Sequence, residues 1–413
     1  MANTLKWGQG YSVMVDVGAI ANAFTLDHST LDGIDVLDGN TDFFDVTEYV
    51  LSVAIRRGRT DQVSQFSPGA ITIVTDDRAS ERLFDPLNAS SELYSGNFDL
   101  APKRQVKVMA GTANLFVGAI TDVDIQYEMP NLSFCTISGA DALFELGRTA
   151  LTAFTPSTET TASRVTTILN RPEVSFSTAD RDITSSPTAT CGTVAYDSNT
   201  NALAALQAVA YAEDGRFYVD RNGIATFDPR ISFTFSTAIA SFGGGGTAIP
   251  IQEIGVAYGS ETLYNRVQIN VDGFTTAATA VDTTSSGKYG ISTLSISNVP
   301  LNTEAAGTAL AANLLAKYKD PVVRFDSITT SLNAVGTALF PTLLTLDVGD
   351  IISVTKTYTV GSPTTVTQDV YIEAVQHSIS PNDHRITFSL GQAQLYTQFV
   401  LDSSLLDGDD RLT

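Results

Sequence analysis

The chain has 413 residues, 43% of them apolar and 17% charged, which is enough to bury several cores and excludes a disordered chain. Its 45 acidic against 24 basic residues leave a net charge of −21. That charge argues against nucleic acid or an anionic membrane as a tightly held partner.

With 21 Phe, 14 Tyr and a single Trp, alongside many Val, Ile and Thr, the composition points to a β-rich fold. The start, Met1 to Val13, lacks the charged-then-apolar layout of a signal peptide, and no apolar run reaches membrane-spanning length. The expectation is a protein made in a cytoplasm and leaving it only by lysis, without stable membrane insertion. Residues 1–46 read as a loose N-terminal arm. Within them Phe24 to Leu37, FTLDHSTLDGIDVL, returns as Phe399 to Leu412, FVLDSSLLDGDDRL, with nine identities in fourteen positions. Leu anchors mixed with Asp-Gly turn signals suit arms that dock onto a scaffold. The second copy makes 399–413 a C-terminal arm.

Residues 47–150 read as a first β-module. Tyr49 to Ile55 alternates and ends in Arg56-Arg57-Gly58-Arg59, Ala70 to Thr75 gives a second strand, and Asp76 to Pro86 a polar turn. An extended pair from Arg104 to Val117 leads into the hairpin Leu115 to Gly139, turning at Pro130-Asn131. A short helix using Ala140, Leu143, Phe144 and Leu151 closes the module. Residues 151–250 form a small α+β insert: a Ser/Thr/Pro linker (Thr155 to Thr161), a helix capped by Ser163 and stopped by Pro172, a helix from Asn201 to Gly215, and a hairpin turning at Asn222-Gly223. Gly243 to Gly246 reads as a flexible joint. Residues 251–398 repeat the β-module. Thr275 to Ser286 reads as a mobile loop, Asn302 caps a helix that Asp320-Pro321 ends, and strands run from Val322 to Leu390. Among them Val370 to Gly391 is a second hairpin, turning at Pro381-Asn382 and preceded by its own extended pair. The two hairpins therefore imply a duplicated module.

Catalytic chemistry is not visible. The chain has three histidines, His28, His377 and His384. The last two flank the Pro381 turn with no third ligand beside them, so two surface imidazoles are expected rather than a metal pair. Asp27, Asp32, Asp35, Asp38, Asp42 and Asp45 are spaced at three to five, which matches no EF-hand loop. No Gly-x-Ser-x-Gly elbow, His-Glu-x-x-His or Walker loop is present. Arg56, Arg57 and Arg59 read as surface salt-bridge partners, and Cys135 and Cys191 as buried or idle thiols. No residue is nominated as catalytic, cofactor-binding or metal-ligating, and no cofactor is expected.

In order along the chain, several short motifs resemble the tail hub, or baseplate hub, proteins of long-tailed siphophages, especially the minor tail proteins of actinobacterial phages. They are Tyr49 to Arg59, Thr75-Asp-Asp-Arg with Leu83-Phe-Asp-Pro86, Pro102-Lys-Arg-Gln-Val106, Phe116-Val-Gly118, Ser138-Gly-Ala-Asp-Ala142, Glu213-Asp-Gly-Arg-Phe217, Asn265-Arg-Val267 and Leu346-Asp-Val-Gly-Asp350. Asp77 and Ala79 depart from the Asn and Gly of the family element. The resemblance implies a β-rich α+β fold with two tail-tube-like β-barrel modules flanking the insert, and a non-enzymatic homotrimer in the virion tail tip. Such a trimer adapts a sixfold tube to a threefold tip. Its implied partners are the distal tail or tail tube protein, the tape-measure C-terminus and tip or fibre proteins, with DNA passing through the lumen unbound. Two alternatives are a distal tail protein, for which the second module is one too many, and a glycan-binding or glycan-cleaving tail-tip protein. The latter class stacks sugars on exposed aromatic faces, and Trp7 is the only Trp available.

Overall fold

A computed structural model describes residues 10–18, 43–77, 82–94, 99–128, 132–185, 189–230 and 237–393. Both copies of the arm repeat, His28, Trp7 and the Pro130-Asn131 turn lie outside these residues. The described chain is mostly antiparallel β-sheet with few helices.

The first half contributes β1 (Tyr11–Asp16), β2 (Phe43–Asp45), β3 (Val50–Gly58), β4 (Ser67–Asp76), β5 (Gln105–Ala110), β6 (Ala113–Glu128), β7 (Leu132–Ala140) and helix α1 (Ala142–Arg148). The strands form because inward positions alternate strictly. Ile71, Ile73 and Thr75 of β4 are buried while the residues between them are not. Asp141 starts α1 by accepting the Leu143 N–H. The expected hairpin is present, with β6 and β7 paired from Ala119–Ala140 to Glu128–Leu132. The supposed loose arm is not loose throughout. β1 pairs with β5 along Tyr11–Ala110 to Val15–Val106, because Tyr11, Val13 and Val15 bury an alternating apolar face.

The middle supplies β8 (Glu159–Thr160), α2 (Thr161–Leu169), β9 (Arg181–Ile183), β10 (Thr190–Cys191), α3 (Ala202–Ala212), β11 (Arg216–Val219) and β12 (Ala225–Asp228). The cap of helix α2 lies three residues before the expected Ser163, since Thr160 accepts the Ser163 N–H. Asn201 caps α3 as the sequence implies. Asp220, accepting from Asn222 and Ile224, closes the β11–β12 turn at Gly223, where φ is +83°.

The last part contains β13 (Ala240–Phe242), β14 (Glu253–Ala257), β15 (Arg266–Val271), β16 (Ala278–Val281), α4 (Thr283–Tyr289), β17 (Thr293–Val299), α5 (Glu304–Tyr318), β18 (Arg324–Ser331), α6 (Phe340–Thr345), β19 (Ile351–Thr357), β20 (Thr365–Ser380) and β21 (Asp383–Gln392). The stretch expected as a mobile loop instead forms β16 and the start of α4. Asp282 nucleates that helix by accepting the Ser285 N–H, and β16 finds a partner in β15. Thr303, not Asn302, caps α5. Together β15, β16, β17 and α5 enclose a separate core built on Val267, Ile269, Val299, Ala311 and Leu314.

One 13-stranded sheet carries most of the molecule, running β14-β18-β21-β20-β3-β4-β7-β6-β5-β1-β2, with β19 and β13 attached beside β20. Five strands recur in the same chain and spatial order: β3, β4, β5, β6 and β7 correspond to β14, β18, β19, β20 and β21. Even an irregularity recurs, since the β6–β7 register shifts between Ile120 and Asp122 and the β20–β21 register between Ile372 and Ala374. Among the described residues the sheet is open, and no closed barrel is found.

The halves join where β3 runs antiparallel to β20, from Val53–Ile379 to Gly58–Ala374. Gly58 sits at this junction with φ +110°, and a Cβ there would fall 2.2 Å from the Glu373 carbonyl oxygen. Only glycine takes that backbone without strain and leaves room for β20. Gly58→Ala should therefore cost on the order of 3 kcal/mol, as strain plus a forced separation of the strands. Chemical denaturation measures it, and a loss below about 0.5 kcal/mol would contradict the close approach.

Candidate functional site: the seam between the sheet halves

Period-two alternation in β3 puts Val53, Ile55 and Arg57 on one face, so the third of these carries a guanidinium inward. Arg57 is 2% exposed, not on the surface as expected. It meets Asp347 at 2.6 Å, and the second Asp347 oxygen accepts the Arg221 N–H at 2.7 Å. Arg59 is likewise drawn in, because its partner Glu373 lies in the apolar run of β20. Arg59 Nε meets Glu373 Oε2 at 2.6 Å, and Arg216 Nη2 of β11 approaches Oε1 at 3.3 Å. The Arg216 guanidinium also covers the Tyr371 ring at 4.3 Å. Arg56 alone of the three arginines points outward, since it falls between the inward positions of β3.

Burial by itself would raise the Glu373 carboxyl, but Arg59 and Arg216 overcome it and hold the group at about 2. One carboxylate thus ties β3, β11 and β20 into a single unit. Its signal in the sequence is a lone acid inside VYIEAVQ, which has no reason to be there without buried cations. Asp347 was visible only as part of the motif ending at Asp350. Asp350 itself is pushed up to about 6, chiefly by burial.

The two hairpin histidines do meet, yet not on the surface. His377 and His384 are 3% and 1% exposed, and their Nδ1 and Nε2 atoms are 2.9 Å apart. His384 Nδ1 lies 2.7 Å from the Tyr11 hydroxyl on β1. The hydroxyl and the two rings make a buried hydrogen-bond chain, and no group of three or more metal-ligating side chains occurs among the described residues. Burial pushes His384 down to about 3, and His377 falls well below its ordinary value through burial, His384 and Arg57. Taking residues 1–46 as one loose arm hides Tyr11, although Gly10 and Gly18 bracket the alternating run Tyr11 to Val17. Of the aspartates weighed for calcium, only Asp45 is described, and it accepts the Thr47 N–H.

A cavity of about 370 Å³ opens beside this seam, lined by Lys103, Asp141, Glu145, Asn222 and Gly223 among others. Its buried acid is already engaged: the Asp141 oxygens accept N–H bonds from Gly69 at 2.7 Å and Leu143 at 3.0 Å. Burial nevertheless raises that carboxyl to about 7. Glu145 faces Lys103 at 3.4 Å in the open. No nucleophile stands against a base here. Cys135 and Cys191 are buried free thiols, each raised to about 12 by burial.

No family model and no curated protein matches this chain. Its fold, however, is that of phage tail proteins. It is similar to the tail protein from Neisseria meningitidis MC58, at 12% identity and a TM-score of 0.58, covering 92% of this chain and 96% of the other. It is also similar to the 43 kDa tail protein of prophage MuSo2 from Shewanella oneidensis, at 12% identity and a TM-score of 0.53, over 92% and 98%. Prophage tail protein gp18 from Listeria monocytogenes EGD-e matches at 13% identity and a TM-score of 0.50, over 92% and 94%.

Two outcomes test the seam. Glu373→Gln leaves two buried guanidinium groups without their counterion and should cost about 3–5 kcal/mol in denaturant unfolding; a cost under about 1 kcal/mol would show that the network contributes little. The second concerns pH. Because the folded state depresses His384 from about 6.5 to about 3, its neutral form contributes fully above pH 6.5. That contribution is lost as pH falls from 6.5 towards 3. Asp141 has the opposite sign: raised to about 7, it favours the fold below its ordinary range and loses that contribution as pH rises through 7. His384→Gln should therefore flatten the fall of Tm between pH 6.5 and 4.5, and an unchanged slope would rule out the buried imidazole as its source.

Proposed function

We propose that this chain is a structural protein of a phage tail, acting as a trimeric hub at the tail tip. The observation that carries the reading is the recurrence of one five-strand order in two halves of a single continuous sheet. Two similar modules per chain, 47–150 and 251–398, let three chains present six equivalent surfaces to a sixfold tube and three to the tip below. The α+β insert, 151–250, braces the modules, through Gln207 donating to the Phe66 carbonyl of the first and Arg216 and Arg221 meeting Glu373 and Asp347 of the second. The repeated stretches Phe24 to Leu37 and Phe399 to Leu412, within the segments 1–46 and 399–413, serve to clasp neighbouring subunits. Likeness of fold to three tail proteins supports the placement.

In this reading the hub has no enzymatic role, and it sits in the virion after assembly in the host cytoplasm. Its partners are the distal tail or tube protein, the tape-measure end and tip or fibre proteins. A net charge of −21 per chain lets DNA pass along the lumen without counterion-release binding. Light scattering on the purified chain should give a mass of three protomers, and antibody labelling of virions should decorate the tail tip. A strictly monomeric chain, or label on the capsid or along the tube, would overturn the hub.

A further inference from the structure

We propose that copies of this chain join by adding β14 of one copy to the outer edge of Asp122–Glu128 in β6 of the next. The inference rests on the trimeric reading and supplies the contact that would build it.

The template for this contact is inside the chain. The N-terminal half of β20 is flanked by β19, and beyond it β3 occupies the same edge at Ala374–Ile379. In the first half β6 is flanked by β5 up to Ala119, and beyond it Asp122–Glu128 pairs only with β7 among the described residues. The strand corresponding to β3 is β14, and among the described residues β14 pairs only with β18. So the acceptor edge is filled in the second half and open in the first, while the matching donor strand is used in the first and open in the second. Among the described residues each copy thus carries one open donor strand, β14 at one end of the sheet, and one open acceptor stretch, the part of β6 beyond β5. Such a contact is heterologous, and it closes into a ring or runs on as a filament.

Burial marks the same edges. Aligning the shared bulges matches Val123, Ile125 and Tyr127 to Val375, His377 and Ile379. The latter three are buried beneath β3, whereas Tyr127 is 49% exposed and Val123 and Ile125 are half-buried. On the donor side Ile254 corresponds to Val53 by its pairing with Ile328 opposite Ile73, and Val53 is buried while Ile254 is half-buried and Val256 is 48% exposed. Val123, Ile125 and Ile254 pack only partly on the core, and Tyr127 donates its hydroxyl to Asp85 while its ring stays half exposed, so apolar surface is left for a strand of another copy to cover. Transferring the internal pairs Val53–Ile379 and Ala54–Ser378 gives the register between copies: Ile254 opposite Tyr127 and Gly255 opposite Gln126. The internal ladder stops at Val53–Ile379, one pair short of where Glu253 and Glu128 would oppose each other.

The test is a double variant, Tyr127→Cys with Ile254→Cys, oxidised and run without reductant. The native thiols are buried and serve as background. Expected is a covalent species of three chains joined by a 127–254 disulfide in peptide mass spectrometry, with each single variant remaining at one chain. Independently, Val256→Lys should give a monomer by light scattering with an unchanged melting curve. A wild-type trimer that yields no 127–254 disulfide and tolerates Val256→Lys overturns this contact and leaves the hub standing. A wild type that is monomeric at every concentration overturns both.

Discussion

The antiparallel contact between β3 and β20 is the constraint on which the rest depends. It turns two five-strand arrangements into one sheet, and it does so with ions as well as backbone. Glu373 lies between Arg59 and Arg216, and Arg57 meets Asp347, with Glu373, Arg57 and Arg216 almost wholly buried. An uncompensated charge there would be costly, so alternative registers, which would separate these pairs, are disfavoured. A one-residue slip would also swing Arg57 outward and put Arg56 into the core. The bulges at Gly58 and Glu373 lock together at the same point, the Arg59 N–H donating to the Glu373 carbonyl at 2.9 Å.

Much of the sheet was legible because its signal is local. Alternation in β3, β4, β6 and β21 gives both the strands and their inward faces, and the two hairpins announced the duplication before any pairing was known. The helices α2, α3 and α5 followed from their periodic apolar residues, although only the cap of α3 falls where the sequence puts it. What escaped was set by distant partners. β1 is a strand because Val13 and Val15 meet β5 some ninety residues on. Thr275 to Ser286 orders because β15 offers it an edge and Asp282 a cap. Arg57, Arg59, His377 and His384 resemble surface residues one at a time, and their burial depends on acids and a tyrosine contributed from other parts of the chain.

The same physics fixes the charge states of the groups at the seam. Reactive groups need a charge state poised to change and a partner to exchange with. Here Glu373 is fixed ionised by two cations, the imidazoles are fixed neutral by burial, and Asp141 spends both oxygens on backbone N–H groups. Glu373 and the two imidazoles are each held in one protonation state around neutrality, whereas Asp141 changes near pH 7. Rigid groups of this kind preserve the geometry of the seam.

The internal seam and the proposed contact between copies use one backbone geometry with different chemistry. Inside the chain the acceptor edge carries Glu373, and donor and acceptor are never apart, so its ions stay dehydrated throughout. At the open edge the equivalent of Glu373 is Thr121 by the shared bulge, and no buried ion waits for a partner. A free monomer therefore exposes an edge with half-buried apolar side chains but no charge whose burial must await assembly. Exposed Asp122 and Asp124 flank that edge and keep it from pairing with arbitrary strands, as charged residues do on natural edge strands. Permanence is placed where the chain is continuous, and reversibility where separate copies have to find each other.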